Sequence, residues 1–188
     1  TGVSVSPQGV VFVSCDVNGV TNTKRSAGKV VRCEDTDGDG QADRFSDFVA
    51  GIDSPRGSCY VDDTLYLMQP PLLVAYRDLD QDGIAEEKTT LVTHLGPELS
   101  AGGIIHGANG VCMGIDGWLY LAIGDQGCYE ATGTDGSQVT LYGGGVLRVR
   151  PDGSQLSLLV TGTRNIYDIA VDPYLNLFAR DNTNDGGG

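Results

Sequence analysis

The sequence predicts an all-β fold, a partial β-propeller of four-stranded antiparallel blades, on three observations. Short apolar runs of strand length recur between Gly, Asp and Asn turns, and 28 of the 188 residues are Gly. Two acidic loops start at Asp35 and Asp78, 43 residues apart, and occupy the same place within successive units. Each unit also carries about four short strands per roughly 40 to 50 residues, the pattern of a propeller blade.

Taken in order, residues 3–5, the turn Ser6-Pro7-Gln8-Gly9, and residues 10–14, 28–33 and 45–52 make the first unit, 1–53. A second, 54–103, opens at Ser54-Pro55-Arg56-Gly57 and carries strands at 58–61, 64–68, 73–77 and 88–95. The third, 104–162, has strands at 110–113, 118–123, 144–150 and 155–160; its acidic loop has shrunk to Pro151-Asp152-Gly153-Ser154. A fourth, 163–188, holds strands at 165–173 and 176–180. A single blade cannot bury both of its faces, so neighbours must stack about an axis. About three and a half blades fall short of a closed ring. The expectation is therefore a piece of a larger propeller, completed by the remaining blades or by another copy of the chain.

Composition narrows the partners. A net charge of −13 repels phosphate, which argues against nucleic acid, and the absence of an apolar run near 18 residues argues against membrane insertion. Cys15, Cys33, Cys59, Cys112 and Cys128 show no C-x-x-C spacing. Two disulfides with one free thiol, in any of about 15 pairings, or five reduced cysteines packed as small apolar groups, both fit.

Much of the acid is clustered. In the first loop Asp35, Asp37, Asp39, Gln41 (through its carbonyl) and Asp43 place oxygens at alternate positions, with Gly40 where the chain must turn. The second repeats this with Asp78, Asp80, Asp82, the Ile84 carbonyl and Glu86. Ca²⁺ takes six to eight oxygens in flexible geometry, so both loops are candidate calcium sites that staple a hairpin. Neither has the twelfth-position Glu or the flanking helices of an EF-hand, and Asp-Gly is also ordinary hairpin chemistry.

A histidine, His106, precedes one apolar strand, and the loop Gly124-Asp125-Gln126-Gly127 ends the next. Together with Gly145-Val146-Leu147-Arg148-Val149, Pro151-Asp152-Gly153-Ser154 and Gly162-Thr163-Arg164-Asn165 through Asp168, Ala170, Val171, Asp172 and Pro173, this order resembles the soluble dehydrogenases of glucose and sorbosone that depend on pyrroloquinoline quinone (PQQ). It looks most like the dehydrogenase-like domains of secreted planctomycete and verrucomicrobial proteins. The resemblance implies a six-bladed propeller, PQQ held on a further Ca²⁺, a secreted, periplasmic or extracellular location, and hydride transfer from the C1 of an aldose to the quinone. It also implies His106 as the base, Arg164 and Asn165 as quinone contacts, Asp181 and Asn182 where backbone carbonyls hold the cofactor's calcium, and Asp125 and Gln126 on a loop at the same mouth. One departure stands out: the acidic residue that precedes the family's histidine is here Ile105, leaving His106 without that orienting partner. The alternative, from a different class, is a calcium-stiffened propeller that keeps the fold as a scaffold or as a glycan- or protein-binding module.

Overall fold

The computed structural model describes residues 2–17, 24–97 and 106–182, and among them every helix or strand is a β-strand. Strands β1 (Val3–Val5), β2 (Val11–Cys15), β3 (Gly28–Glu34) and β4 (Arg44–Ile52) form an antiparallel meander in chain order. Strands β5 (Ser58–Val61), β6 (Thr64–Gln69), β7 (Leu72–Arg77) and β8 (Glu87–Thr93) repeat it. After β9 (Ala108–Met113) and β10 (Leu119–Ile123) the chain makes a hairpin, β11 (Cys128–Gly133) and β12 (Gln138–Leu141). It then returns as β13 (Gly144–Val149) and β14 (Ser157–Thr163) to complete a third sheet, ordered β9-β10-β13-β14. Finally β15 (Ile169–Val171) pairs with β16 (Leu177–Ala179).

The packing follows from strands that are apolar on both faces. All six residues of β6 and all five of β10 are buried, and successive side chains point to opposite faces of a sheet. Leu65, Leu67, Val74 and Tyr76 therefore meet Phe12, Val30, Phe48 and Ile52 of the first sheet, while Met68, Leu73 and Ala75 meet Val111, Leu119, Leu121 and Ile123 of the third. On the third sheet's other face, Tyr120, Ala122 and Val146 meet Ile166 and Ile169. Leu65, Leu67, Leu119 and Leu121 are fully buried, and each such burial contributes about 1.5–3 kcal/mol. Strand β1 packs on β5, β5 on β9 and β9 on β15, so the first strands of successive sheets lie side by side, as in blades radiating from an axis.

The β11–β12 hairpin departs from the sequence reading, which passes over residues 128–141. Strand β11 pairs with β8 through Thr132↔Thr93 and Gly133↔Val92, widening the second sheet to six strands. Cys128, Ala131, Val139 and Leu141 seal the core between the second and third sheets. The cysteine question also resolves: all five are free. Cys128 is wholly buried, and burial pushes its thiol and those of Cys59 and Cys112 upward, Cys112 to about 12. Protonated and half-buried or buried, they pack as small apolar groups.

Candidate functional site

Strand register fixes where the site lies. Ile123 stands opposite both Ala108 and Gly145, and Gly144 opposite Thr163. His106, the Gly124–Gly127 loop and Arg164 consequently share one end of the third sheet. The His106 and Gln126 segments clasp each other: the His106 N–H donates to Gln126 Oε1 at 3.0 Å, and the Gln126 N–H donates to the His106 carbonyl at 3.1 Å. Gly124 donates to the Gly107 carbonyl at 2.9 Å, and Gly127 closes the turn onto Gly124.

This clasp sets His106 Nδ1 2.7 Å from Asp125 Oδ1. The carboxylate accepts only, so it selects the tautomer protonated at Nδ1 and leaves the Nε2 lone pair available as a base. The orienting acid missing before the histidine is thus supplied from nineteen residues later in the chain. Arg164 Nε lies 3.7 Å from Asp125 Oδ2, completing a chain of His, Asp and Arg whose side chains are about a quarter to a third exposed.

Asp181 receives the N–H of Arg164 at 2.9 Å and that of Asn165 at 2.8 Å. The Arg164 N–H, followed by the Asn165 and Asn182 N–H groups, holds its carboxyl below the usual range. Arg164 Nη1 donates to the Asn182 carbonyl at 3.2 Å, the oxygen expected to face a cofactor's calcium. Asn165, expected on the quinone, is 3% exposed, and its Oδ1 accepts from Asn109 Nδ2 at 3.3 Å. It braces the site from behind. Ile105 lies outside the described residues.

Two bracing residues escape the sequence reading. Asn109, 2% exposed, also donates to the Ile166 carbonyl at 3.1 Å, and its Oδ1 accepts from Arg56 Nη1 at 2.6 Å. Desolvation lowers the Arg56 guanidinium from its ordinary value. Arg56 and Asn109 stand just before β5 and at the start of β9, so a polar residue at the entry of each unit is the signal that marks them.

The acidic loops lie at the opposite ends of their sheets, joining β3 to β4 and β7 to β8, and several of their internal bonds match. Asp35 Oδ2 accepts from Gly40 N–H and Asp78 Oδ2 from Gly83 N–H, both at 2.8 Å. Gln41 N–H donates to Asp39, and Ile84 N–H to Asp82, again both at 2.8 Å. Oxygens of Asp35, Asp37 and Asp39 gather within 4.8 Å of one another, as do those of Asp78, Asp80, Asp82 and Glu86. Asp43 stays out of the first group, with its carboxylate on the Thr36 hydroxyl at 2.8 Å, whereas the longer Glu86 both accepts from Leu79 N–H and reaches its cluster. The Gly40 and Gly38 N–H groups lower Asp35 below the usual carboxylate range. In the shortened turn at Asp152, Ser154 satisfies the carboxylate at 2.7 Å through its hydroxyl, and no cation is called for.

A family model described as a domain of unknown function (DUF7133) matches residues 3–187. No curated protein matches the sequence. Among solved structures, the PQQ-bound aldose sugar dehydrogenase of Streptomyces coelicolor is similar with a TM-score of 0.65 and 21% identity over 98% of this chain and 56% of its own. The gluconolactonase XC5397 of Xanthomonas campestris gives 0.62 and 17% over 95% and 52%. A luciferin-regenerating enzyme gives 0.64 and 11% over 96% and 53%. The chain spans about half the length of these structures, and at such identities the likeness establishes a propeller-like fold.

Proposed function

The chain belongs to the family described as a domain of unknown function (DUF7133), and on that footing we propose that it forms the proton-accepting part of a secreted, quinone-dependent aldose dehydrogenase. The observation that carries this reading is the pairing of His106 Nδ1 with Asp125 Oδ1 at 2.7 Å. An imidazole held in that way presents Nε2 to a sugar hydroxyl, and the carboxylate stabilises the imidazolium that results. Resemblance to the PQQ-dependent sugar dehydrogenases supplies the substrate class, and the fold of the Streptomyces enzyme agrees with it.

The donor set suits such a quinone at one edge. Arg164, its side chain 31% exposed, would offer a guanidinium to the cofactor's oxygens, with the Asp125 carboxylate beside it fixing its position. When bound, PQQ supplies the two-electron acceptor for the hydride that leaves the sugar C1. His106 takes the C1 hydroxyl proton at Nε2. Asp125 keeps that ring oriented, Gln126 fixes the histidine's backbone, and Asn165, Asn109 and Asp181 hold the Arg164 segment in place. Both acidic loops bind Ca²⁺ structurally, with affinity suited to an extracellular setting. Exposed apolar residues at the two ends of the sheet series, Val3 and Val5 on β1 and Phe178 on β16, are covered by further blades or by another copy.

The test is dye reduction by the protein expressed with its native flanking sequence, loaded with PQQ and Ca²⁺ and offered a panel of aldoses. Turnover that drops about 10²–10⁴-fold in His106→Gln is expected. No turnover with any aldose, together with no spectral change on adding the quinone, rejects the reading. One observation favours the scaffold alternative: the Asn165 carboxamide and the Asn182 carbonyl are already engaged within the chain. That alternative gains if calcium stabilises the protein while the quinone leaves its spectrum unchanged.

A further inference from the structure

Tyr129 and Tyr142 stand exposed at the base of the β11–β12 hairpin, 54% and 79% accessible, with ring centroids 5.4 Å apart and planes at 66°. Their neighbours Cys128, Ala131 and Leu141 point into the core. The register slips between Cys128 and Ala131, and Glu130 takes a left-handed φ of 59° there. Such a bulge re-aims side chains at a local conformational cost, and here it turns Tyr129 and Glu130 outward together. The Thr140 hydroxyl accepts from the Glu130 N–H at 3.1 Å and locks it.

The pair stands beside the site. A Cβ on Gly127 would lie 2.2 Å from the Leu141 carbonyl oxygen, and one on Gly144 would lie 2.5 Å from those of Thr163 and Arg164. Tyr142 is thereby held between the segment carrying Asp125 and Gln126 and the segment carrying Arg164. Tyr129 is four residues from Asp125, a chain reach of at most about 14 Å.

We propose that Tyr129 and Tyr142 form an aromatic subsite that takes a second pyranose ring, which makes a neutral reducing oligosaccharide the substrate class of the site at His106. This rests on the sugar-dehydrogenase reading above. A pyranose presents a face of C–H bonds that packs on the negative face of an aromatic ring, and two rings at 66° provide a platform and a side wall. Glu130 stands exposed beside Tyr129, and its carboxylate suits hydroxyl donors and disfavours anionic sugars.

The test is calorimetric binding of maltotriose, cellotriose and glucose to the protein with its native flanking sequence, as wild type, Tyr129→Ala/Tyr142→Ala, Tyr129→Phe/Tyr142→Phe and His106→Gln, each first shown to melt as the wild type does. At least one trisaccharide is expected to bind the alanine variant about 10-fold more weakly, a loss of about 1.4 kcal/mol, with the phenylalanine variant close to wild type and glucose unaffected. His106→Gln is expected to keep trisaccharide affinity while losing dye reduction. Trisaccharides that bind no better than glucose, or equally well without the tyrosines, overturn the subsite. Tyrosine-dependent trisaccharide binding in a protein that oxidises no sugar keeps the subsite and removes the dehydrogenase reading.

Discussion

A Cβ placed on Gly124 would sit 2.3 Å from the carbonyl oxygen of His106. The loop that carries Asp125 can approach the histidine only because this position has no side chain. Gly124→Ala must push the His106 backbone or the loop aside, since the two nearest obstructing atoms belong to the main chain, and the Asn165 carboxamide follows at 2.8 Å. Urea denaturation is expected to show a loss of about 1–3 kcal/mol, and loosened imidazole geometry should appear as a changed His106 ring shift in NMR spectra. A variant as stable as wild type, with that signal unmoved, contradicts the close approach.

Asp125→Asn keeps the shape of the side chain but can donate to Nδ1, which permits the wrong imidazole tautomer. On the proposed dehydrogenase function, turnover with PQQ is expected to fall by about 10³–10⁴-fold with KM little changed. A fall of less than tenfold means that the acid does not orient the base.

Acid sensitivity has an assigned residue in Asp135. Its carboxyl accepts the Ser137 hydroxyl at 2.6 Å and the Gln155 N–H at 3.0 Å, and these bonds, with the Ser137 hydroxyl foremost, lower it to about 2. A folded pKa below the unfolded value of about 3.9 means that the ionised form stabilises the fold. That contribution is complete above about pH 4 and is lost as the pH falls toward 2. Carbon-detected titration should place the Asp135 transition well below those of ordinary aspartates, and Ser137→Ala should raise it. Unfolding midpoints of Asp135→Asn should vary less than those of wild type between pH 4 and 2. An Asp135 transition near 4 in the wild type contradicts the assignment.

Much of this organisation is written locally. Alternation in β2, the apolar runs at the centre of β6 and throughout β10, and the spacing of the aspartates mark strands and loops without reference to anything distant. Residues 128–141 contain the same kinds of signal, Gln138-Val139-Thr140-Leu141 after an Asp135-Gly136 turn, yet the repeat places no strand there because the hairpin is an insertion that borrows its partner, β8, from the preceding sheet. The pairing of Asp125 with His106 is likewise invisible along the sequence. It depends on the clasp between His106 and Gln126 across two strand ends, whereas the sequence draws attention to the residue next to the histidine. Asn165 reads as a ligand by its place beside Arg164, but the carboxamide of Asn109 turns it inward.

The two acidic loops, alike in their internal bonds, differ in what they hold together. In the second, the Ala85 N–H donates to the Phe48 carbonyl of β4 at 2.8 Å, and Gly83 lies against the Arg32 guanidinium of β3, so the loop of one sheet is fastened to its neighbour. In the first, Gly38 and Gly40 have open space around them. A cation that orders the second loop therefore also rigidifies the contact between the sheets, whereas one in the first stiffens only its own hairpin. Millimolar Ca²⁺ is expected to raise Tm, and a chelator to reverse the rise. Asp80→Ala/Asp82→Ala should abolish most of this calcium-dependent increment, and Asp37→Ala/Asp39→Ala a smaller share. A melting temperature indifferent to Ca²⁺ rejects both sites, and a larger loss from the first pair rejects the inter-sheet role of the second.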